Sequence, residues 1–239
     1  MPVELLEADW SEPGRVRAVS TTRRRGDTQD ELDLGRAGGK QRLERNRARL
    51  YAAIGKPRVQ WLRQVHGTRV HHALRVGAEV QADAVWTEVP EVAIAVTTAD
   101  CIPIVLADSA SGLVAVIHCG WRGAVGGVIE ATLRELPAEA NDLRAWLGPA
   151  ICGRCYEVGG DVYEKAMIWP EGDGAFSPAG VAGKWLFDLP AYAAGRLKAA
   201  GVYEVWRSNA CTFHEDRFFS YRRDGRTGLM ATVAWIDRR

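Results

Sequence analysis

The stretch Thr97-Thr98-Ala99-Asp100-Cys101-Ile102-Pro103-Ile104-Val105-Leu106-Ala107-Asp108-Ser109-Ala110-Ser111-Gly112-Leu113-Val114-Ala115-Val116-Ile117-His118-Cys119-Gly120-Trp121-Arg122-Gly123 decides how this chain is read. Cys101 to Leu106 and Leu113 to His118 are apolar and rich in β-branched residues, the composition of buried strands. Asp108 to Gly112 between them has the composition of a turn. Two such strands joined so closely form an antiparallel hairpin. With a four-residue loop from Asp108 to Ser111, Ala107 faces Gly112, Val105 faces Val114, Pro103 faces Val116 and Cys101 faces His118. Facing residues point to the same side of a sheet with Cβ atoms about 4.5–5.5 Å apart. A thiolate and an imidazole so placed reach one zinc ion, at roughly 2.3 Å to sulfur and 2.0–2.1 Å to nitrogen. A slip of one residue would turn one ligand to the other face. His118 and Cys119 point to opposite faces in any register, so only one of them joins Cys101. Pro103 has no N–H for a ladder, which predicts an edge strand or a bulge there.

Two donors leave a zinc shell incomplete. The chain has five histidines: His66, His71, His72, His118 and His214. His66 lies in Gln64-Val65-His66-Gly67, where a strand breaks at Gly67, so it is held by ordered backbone yet placed at a rim. Three protein ligands would leave one coordination position open, the pattern of a catalytic site. The competing reading is plain: a cysteine on an apolar strand is commonly a small buried hydrophobe, and a histidine at a strand end commonly a hydrogen-bonded one.

With 239 residues the chain suits one large domain, long enough to bury a core without disulfides or metal staples. A metal would therefore be there for more than stability. The net charge is +1, so no global field draws the protein to nucleic acid or to an anionic membrane. No basic-then-apolar leader is visible at the N-terminus. The apolar region from Val92 to Ala107 is too short and too polar to span a bilayer. Five cysteines, an odd number, without an export signal predict reduced thiols and a cytoplasmic protein. Cys152-Gly153-Arg154-Cys155 has redox or zinc spacing, but a single such pair is a weak signal, and two free thiols in a turn are expected.

Along the chain, residues 15–22 read as a strand, 23–40 as a loop and 41–54 as a helix with Leu43, Leu50, Tyr51 and Ile54 on one face, ended by Gly55 and Pro57. Residues 59–66, 68–74, 84–86, 92–96, 143–147, 203–206 and 229–236 read as strands. A helix follows Gly120-Trp121-Arg122-Gly123, with Ala124, Val125, Val128, Ile129, Leu133 and Leu136 on its buried side. Residues 161–167 and 189–200 read as further helices, and 170–184 as a loop. The whole is α+β, with strands packed between helical layers, and residues 1–239 form one domain.

Several motifs resemble one family. Gln-Val-His-Gly at 64–67, Thr-Ala-Asp-Cys at 98–101 and His-Cys-Gly-Trp-Arg-Gly at 118–123 are similar to those of the YfiH family, also called the polyphenol oxidase (laccase-like) or purine nucleoside phosphorylase family of this fold. Gly148-Pro149-Ala150-Ile151, Tyr156-Glu157-Val158, Cys211-Thr212 and Phe219-Ser220-Tyr221-Arg222-Arg223-Asp224-Gly225 continue the match. The resemblance implies a mixed β-sandwich flanked by helices, layered α/β/β/α, and a metal held by His66, Cys101 and His118. It implies zinc, phosphorolysis of adenosine, inosine and methylthioadenosine, and adenosine deamination as a second activity. Copper-dependent oxidation of phenols is an older attribution to the family. The sequence departs from the family pattern at Arg24-Arg25-Gly26, at Asp33-Leu34-Gly35, where Asn is usual in place of Asp33, and at Thr227-Gly228-Leu229, where Arg is usual in place of Leu229. These departures leave the metal ligands intact and bear on substrate preference.

For phosphorolysis the ligands are a nucleoside and phosphate, with the protein a monomer or weak homodimer. Phosphate calls for guanidinium groups: Arg122 first, beside the His118 ligand, then Arg23 and Arg222. The bland reading of Arg122 is a salt bridge at a helix start. Asp100 precedes a ligand and points away from it on a regular strand, which suits a supporting group better than a general base. Gln64 would orient His66 or contact substrate, and Tyr221 would stack on a purine or simply pack. Zinc polarises an oxygen without redox chemistry, whereas laccase chemistry asks for several coppers and more histidines than five. Two alternatives keep the same residues: Cys101 as nucleophile and His118 as base in a hydrolase editing cell-wall precursors, or a zinc-stabilised binding module.

Overall fold

The computed structural model describes residues 3–11, 14–25, 28–56, 58–108, 110 and 112–237. Two sheets face each other. The first has five strands in the order Leu5–Glu7, Val16–Thr21, Met230–Ile236, Ala93–Thr98 and Val59–Gln60. The second has six, in the order Glu204–Arg207, Leu143–Leu147, Ile102–Asp108, Leu113–Cys119, Ala84–Thr87 and Val70–His72. Strand alternation explains the layering. Along Leu113–Cys119, Val114 and Val116 turn toward the first sheet and meet Val16, Ile94 and Ala234 in the sandwich interior. Leu113, Ala115, Ile117 and Cys119 turn the other way, onto Val128, Ile129, Tyr192 and Leu197 of the covering helices. The helix Lys40–Ile54 covers the far side of the first sheet through Leu50 and Ile54. The result is the α+β sandwich with helical layers on both faces that the sequence predicts.

The hairpin exists, but its register differs by two residues from the expected one. Asp108 pairs with Leu113 and Pro103 with His118. Gly112, at φ 69°, closes the turn by donating its N–H to the Asp108 carbonyl at 3.1 Å. A shift of two conserves the face each side chain takes, so Cys101 and His118 still share a side, diagonally. Cys101 itself precedes the strand, which begins at Ile102.

The reason lies in the three residues before it. Ala93–Thr98 belongs to the first sheet and Ile102–Asp108 to the second, so Ala99-Asp100-Cys101 carry the chain across the sandwich. Asp100 makes the bend with φ 91°, a conformation that costs a non-glycine residue roughly 1–3 kcal/mol unless its surroundings hold it. Pro103 is not on an edge strand. Ile102–Asp108 lies inside the sheet, and its pairing with Leu143–Leu147 starts only at Ile104, so the missing N–H falls beyond that ladder.

Other expectations are corrected. Residues 23–40 hold a small hairpin of Arg24–Arg25 with Thr28–Glu31. The helix after Gly120 is two helices, Trp121–Gly126 and Val128–Glu135, because Gly127 adopts φ 87° and ends the first. The region 170–184 contains the strand Phe176–Pro178 and the start of Lys184–Phe187. Gly26, Pro57, Ser109 and Ser111 lie outside the described residues. Among the described residues no helix is long and apolar enough to cross a membrane.

Candidate metal centre

His66, Cys101 and His118 converge at the end of the sandwich where the chain crosses between sheets. Their donor atoms all lie within 4.8 Å of one another. Cys101 Sγ is 4.0 Å from His66 Nε2, and the two imidazoles meet edge to face with ring centres 4.7 Å apart. A tetrahedral zinc would set sulfur and nitrogen donors about 3.5 Å apart, so the set needs only a small contraction to close on an ion. Gly120 leaves the space for it: a Cβ there would fall 2.8 Å from Cys101 Sγ and 3.0 Å from His66 Cδ2. The donors and the side-chain-free wall fit a metal with three protein ligands.

One buried carboxylate organises two of the three donors. Asp83 lies just before the strand Ala84–Thr87, directly across from His118, whose N–H meets the Asp83 carbonyl at 2.7 Å. Asp83 Oδ1 is 2.8 Å from His118 Nδ1, which leaves Nε2 of that ring for a metal. The same carboxylate accepts the backbone N–H groups of Val65 at 3.2 Å, His66 at 2.8 Å and Gly67 at 2.8 Å. This grip holds His66 in the left-handed conformation, φ 59°. Burial would raise the Asp83 carboxyl, but the hydrogen bonds from His118, Gly67 and Val65 outweigh it and hold the group below its ordinary value. Asp83 does not stand out in the sequence. Its signal was a lone acid flanked by Ala82 and Ala84 at the head of an apolar strand.

The electrostatics of the metal-free site favour an ion pair. Burial pushes the Cys101 thiol up, yet the His118 charge and hydrogen bonds from both histidines bring it down to about 6. Burial pushes His118 down, but the Cys101 thiolate and the Asp83 hydrogen bond raise it to about 9. Cys119, one residue on but on the opposite face, is raised by burial and stays a thiol.

The donors line a cavity of about 810 Å³, together with Asp100, Gln64, Arg122, Tyr221 and Arg222. Arg122 is exposed and lies over the Trp121 ring at 4.4 Å, with no carboxylate partner among the described residues. Arg222 gives Nη1 to the Glu157 carbonyl at 2.7 Å and sits over Tyr156. Tyr221 is 67% exposed, so it does not simply pack. Arg36 and Arg47, also in the lining, both pair with Glu79.

The surroundings of Arg23 and Gln64 differ from those expected, and Asp100 sits as the supporting group expected of it. Arg23 stands outside the lining and is paired with Glu31 and Asp224. The Gln64 amide does not reach His66. It pairs like a strand with Thr97, donating to its carbonyl at 2.8 Å and accepting its N–H at 2.8 Å. Asp100 is a supporting carboxylate, since it accepts from Thr212 Oγ1 at 2.6 Å and from the Arg222 N–H at 2.7 Å. Two family departures meet each other: the Leu229 N–H donates to Asp33 Oδ1 at 2.9 Å, and Leu229 lines the cavity.

Fold and site together define a sandwich protein with a Cys/His₂ centre open to a solvent-facing cavity. Over residues 17–237 the chain matches the family described as multi-copper polyphenol oxidoreductase laccase. It is 41% identical to a purine nucleoside phosphorylase of Pseudomonas aeruginosa, with 97% of this chain and 98% of that one aligned. It is 39% identical to the purine nucleoside phosphorylase YfiH of Escherichia coli, over 98% and 99%. A solved Neisseria meningitidis protein superposes with a TM-score of 0.92 at 40% identity, covering 98% of this chain and 99% of the other. YlmD of Geobacillus stearothermophilus superposes at 0.90 with 29% identity, covering 98% and 96%. The chain belongs to the YfiH family.

Proposed function

We propose that this protein is a zinc-dependent purine nucleoside phosphorylase acting on adenosine, inosine and methylthioadenosine, with adenosine deamination as a side activity. The observation that carries the reading is that one cavity holds both the three-donor face and the Arg122 guanidinium, which has no carboxylate partner among the described residues, with Arg222 in the same lining. The names of the relatives support the same reaction class.

His66, Cys101 and His118 would hold the zinc, which when bound supplies a Lewis acid that polarises an oxygen. Arg122 and Arg222 offer planar forks that bind phosphate oxygens in pairs and hold the nucleophile near C1′ of the ribose. Tyr221 presents an exposed ring for the purine. As the phosphate oxygen bonds to C1′, the bond from C1′ to the purine nitrogen breaks. Its electron pair leaves with the base, which takes up the proton the phosphate gives up, giving ribose 1-phosphate and free purine. Asp83 and Asp100 take no part in that transfer; they hold the donors and the Arg222 backbone in place.

The test is product analysis with inosine. Hypoxanthine and ribose 1-phosphate in equal amounts, formed only with phosphate present, support the reading. Free ribose instead, or no base release by zinc-loaded protein, overturns it. A second reading rests on the Cys101–His118 pair: without a metal, the lowered thiol beside an imidazolium is a nucleophile and its proton carrier. Hydrolysis of an acyl substrate by metal-free protein, abolished by alkylation, would favour it. Copper with phenol turnover in protein grown without added copper would favour the oxidase attribution.

A further inference from the structure

The Cys-x-x-Cys at 152–155 is not an isolated pair. Folding brings it against Cys211 and His214, and the four donor atoms lie within 4.8 Å of one another. Cys152 Sγ is 3.5 Å from Cys155 Sγ, and Cys155 Sγ is 2.9 Å from His214 Nε2. All three cysteines are free thiols. A tetrahedral zinc sets thiolates about 3.8 Å apart and a thiolate and an imidazole about 3.5 Å apart, close to what the chain already holds.

The backbone prepares both arms in the same way. The Cys155 N–H reaches the Cys152 carbonyl at 3.0 Å, and the His214 N–H reaches the Cys211 carbonyl at 3.2 Å. Each tight turn aims two donors to one side. The Cys152 N–H points at Cys211 Sγ at 3.4 Å, the kind of backbone bond that settles a thiolate. A parallel bridge joins Ala150 to Cys211, which fixes the two turns against each other. A disulfide between any two of the cysteines would leave a third sulfur and an imidazole converging on nothing.

We propose that Cys152, Cys155, Cys211 and His214 form a second metal site, a closed Cys₃His shell for zinc. Three soft thiolates and one imidazole suit zinc over hard cations. Four protein ligands leave no open position, so this site is structural where the first is open. What it staples is the cavity wall. Thr212, beside the Cys211 ligand, bonds Asp100 at 2.6 Å, and the Ile151 N–H, beside Cys152, bonds the Asp100 carbonyl at 3.0 Å. Asp100 in turn precedes Cys101 and anchors the Arg222 backbone. The second zinc therefore positions the loop that carries one ligand of the first. Nothing in this site depends on which substrate the first one takes.

The test is metal content of the full chain purified with zinc. Wild type should hold about two zinc ions per chain, and the His66→Ala/Cys101→Ala protein about one. In that variant, cobalt substitution should give the intense charge-transfer band of several thiolates, although Cys101 is gone. Cys155→Ser and His214→Ala should each lose the second ion while keeping the first. If those variants fail to fold, the count in the His66→Ala/Cys101→Ala protein decides alone. One zinc in wild type that vanishes with Cys101→Ala, or a Cys152–Cys155 disulfide found by thiol counting and mass spectrometry in zinc-grown protein, overturns the proposal.

Discussion

Asp83 and His118 share a 2.8 Å hydrogen bond between Oδ1 and Nδ1, with both side chains buried. Because the same carboxylate grips the backbone of His66, one residue sets the direction of two donors. Asp83→Asn keeps the shape but faces an amide N–H₂ against N–H groups. It should cost 10- to 100-fold in zinc affinity, read by chelator competition. Asp83→Ala leaves His118 and three backbone N–H groups unpartnered, and should destabilise the fold by about 3–5 kcal/mol, read by denaturant unfolding. Wild-type zinc affinity in Asp83→Asn would remove Asp83 as the orienting group.

Gly120 is the wall that must carry no side chain. A Cβ at that position falls 2.8 Å from Cys101 Sγ, nearer than two such atoms can sit. Gly120→Ala should therefore lower bound metal and activity together, and push Cys101 away from His66. Circular dichroism should stay close to wild type, because Gly120 has an ordinary extended backbone, φ −78°, while Tm should fall with the lost metal. An unchanged metal count would show that the donors do not close where the structure puts them.

The thiol of Cys101 should betray its surroundings once metal is removed. Its titration lies at about 6 against 9.0 for an ordinary thiol. Since the shift is downward, the reactive thiolate is present above about pH 6 and lost only below it. Alkylation of metal-free protein, followed by peptide mapping at Cys101, should show a midpoint near that pH, and zinc should protect. Cys119, buried and raised, should stay unlabelled throughout. A midpoint near 9 at Cys101 would contradict the ion pair.

Arg122 has no carboxylate partner among the described residues, so its removal should weaken phosphate binding and leave the metal in place. A charge-assisted hydrogen bond contributes about 1.5–3 kcal/mol, which predicts a rise in KM for phosphate of roughly 10- to 100-fold in Arg122→Ala. Arg122→Lys should recover little, because a point charge does not replace a fork. Steady-state kinetics with zinc counted in parallel checks both statements. An unchanged KM would assign the phosphate to other groups.

The hairpin and the common side of Cys101 and His118 were legible because they rest on local patterns, whereas His66 came from a family motif. Turn composition between two β-branched runs places Cys101 and His118 on one side, and a two-residue change of register does not alter that, since strand faces repeat every second residue. The helix after Gly120 was legible as helix but not as two, because a glycine in a helical pattern does not announce a positive φ. Asp83 was invisible for a different reason. It acts through pairing between Ala84–Thr87 and Leu113–Cys119, which are joined by no short turn.

The sequence by itself determined which residues could bind metal at the first site and that a strand would carry His118, because side-chain chemistry and period-two alternation are written in the chain. Only the tertiary structure decided what turns those donors into sites. It crosses the chain between sheets at Asp100, sets Asp83 under His66 and His118, withdraws Arg23 into ion pairs, and brings Cys211 and His214 to a Cys-x-x-Cys that looks incomplete on its own. The physical reason is distance along the chain. Contacts between residues 35 to 112 positions apart are set by how whole sheets pack, and no local window of sequence contains them.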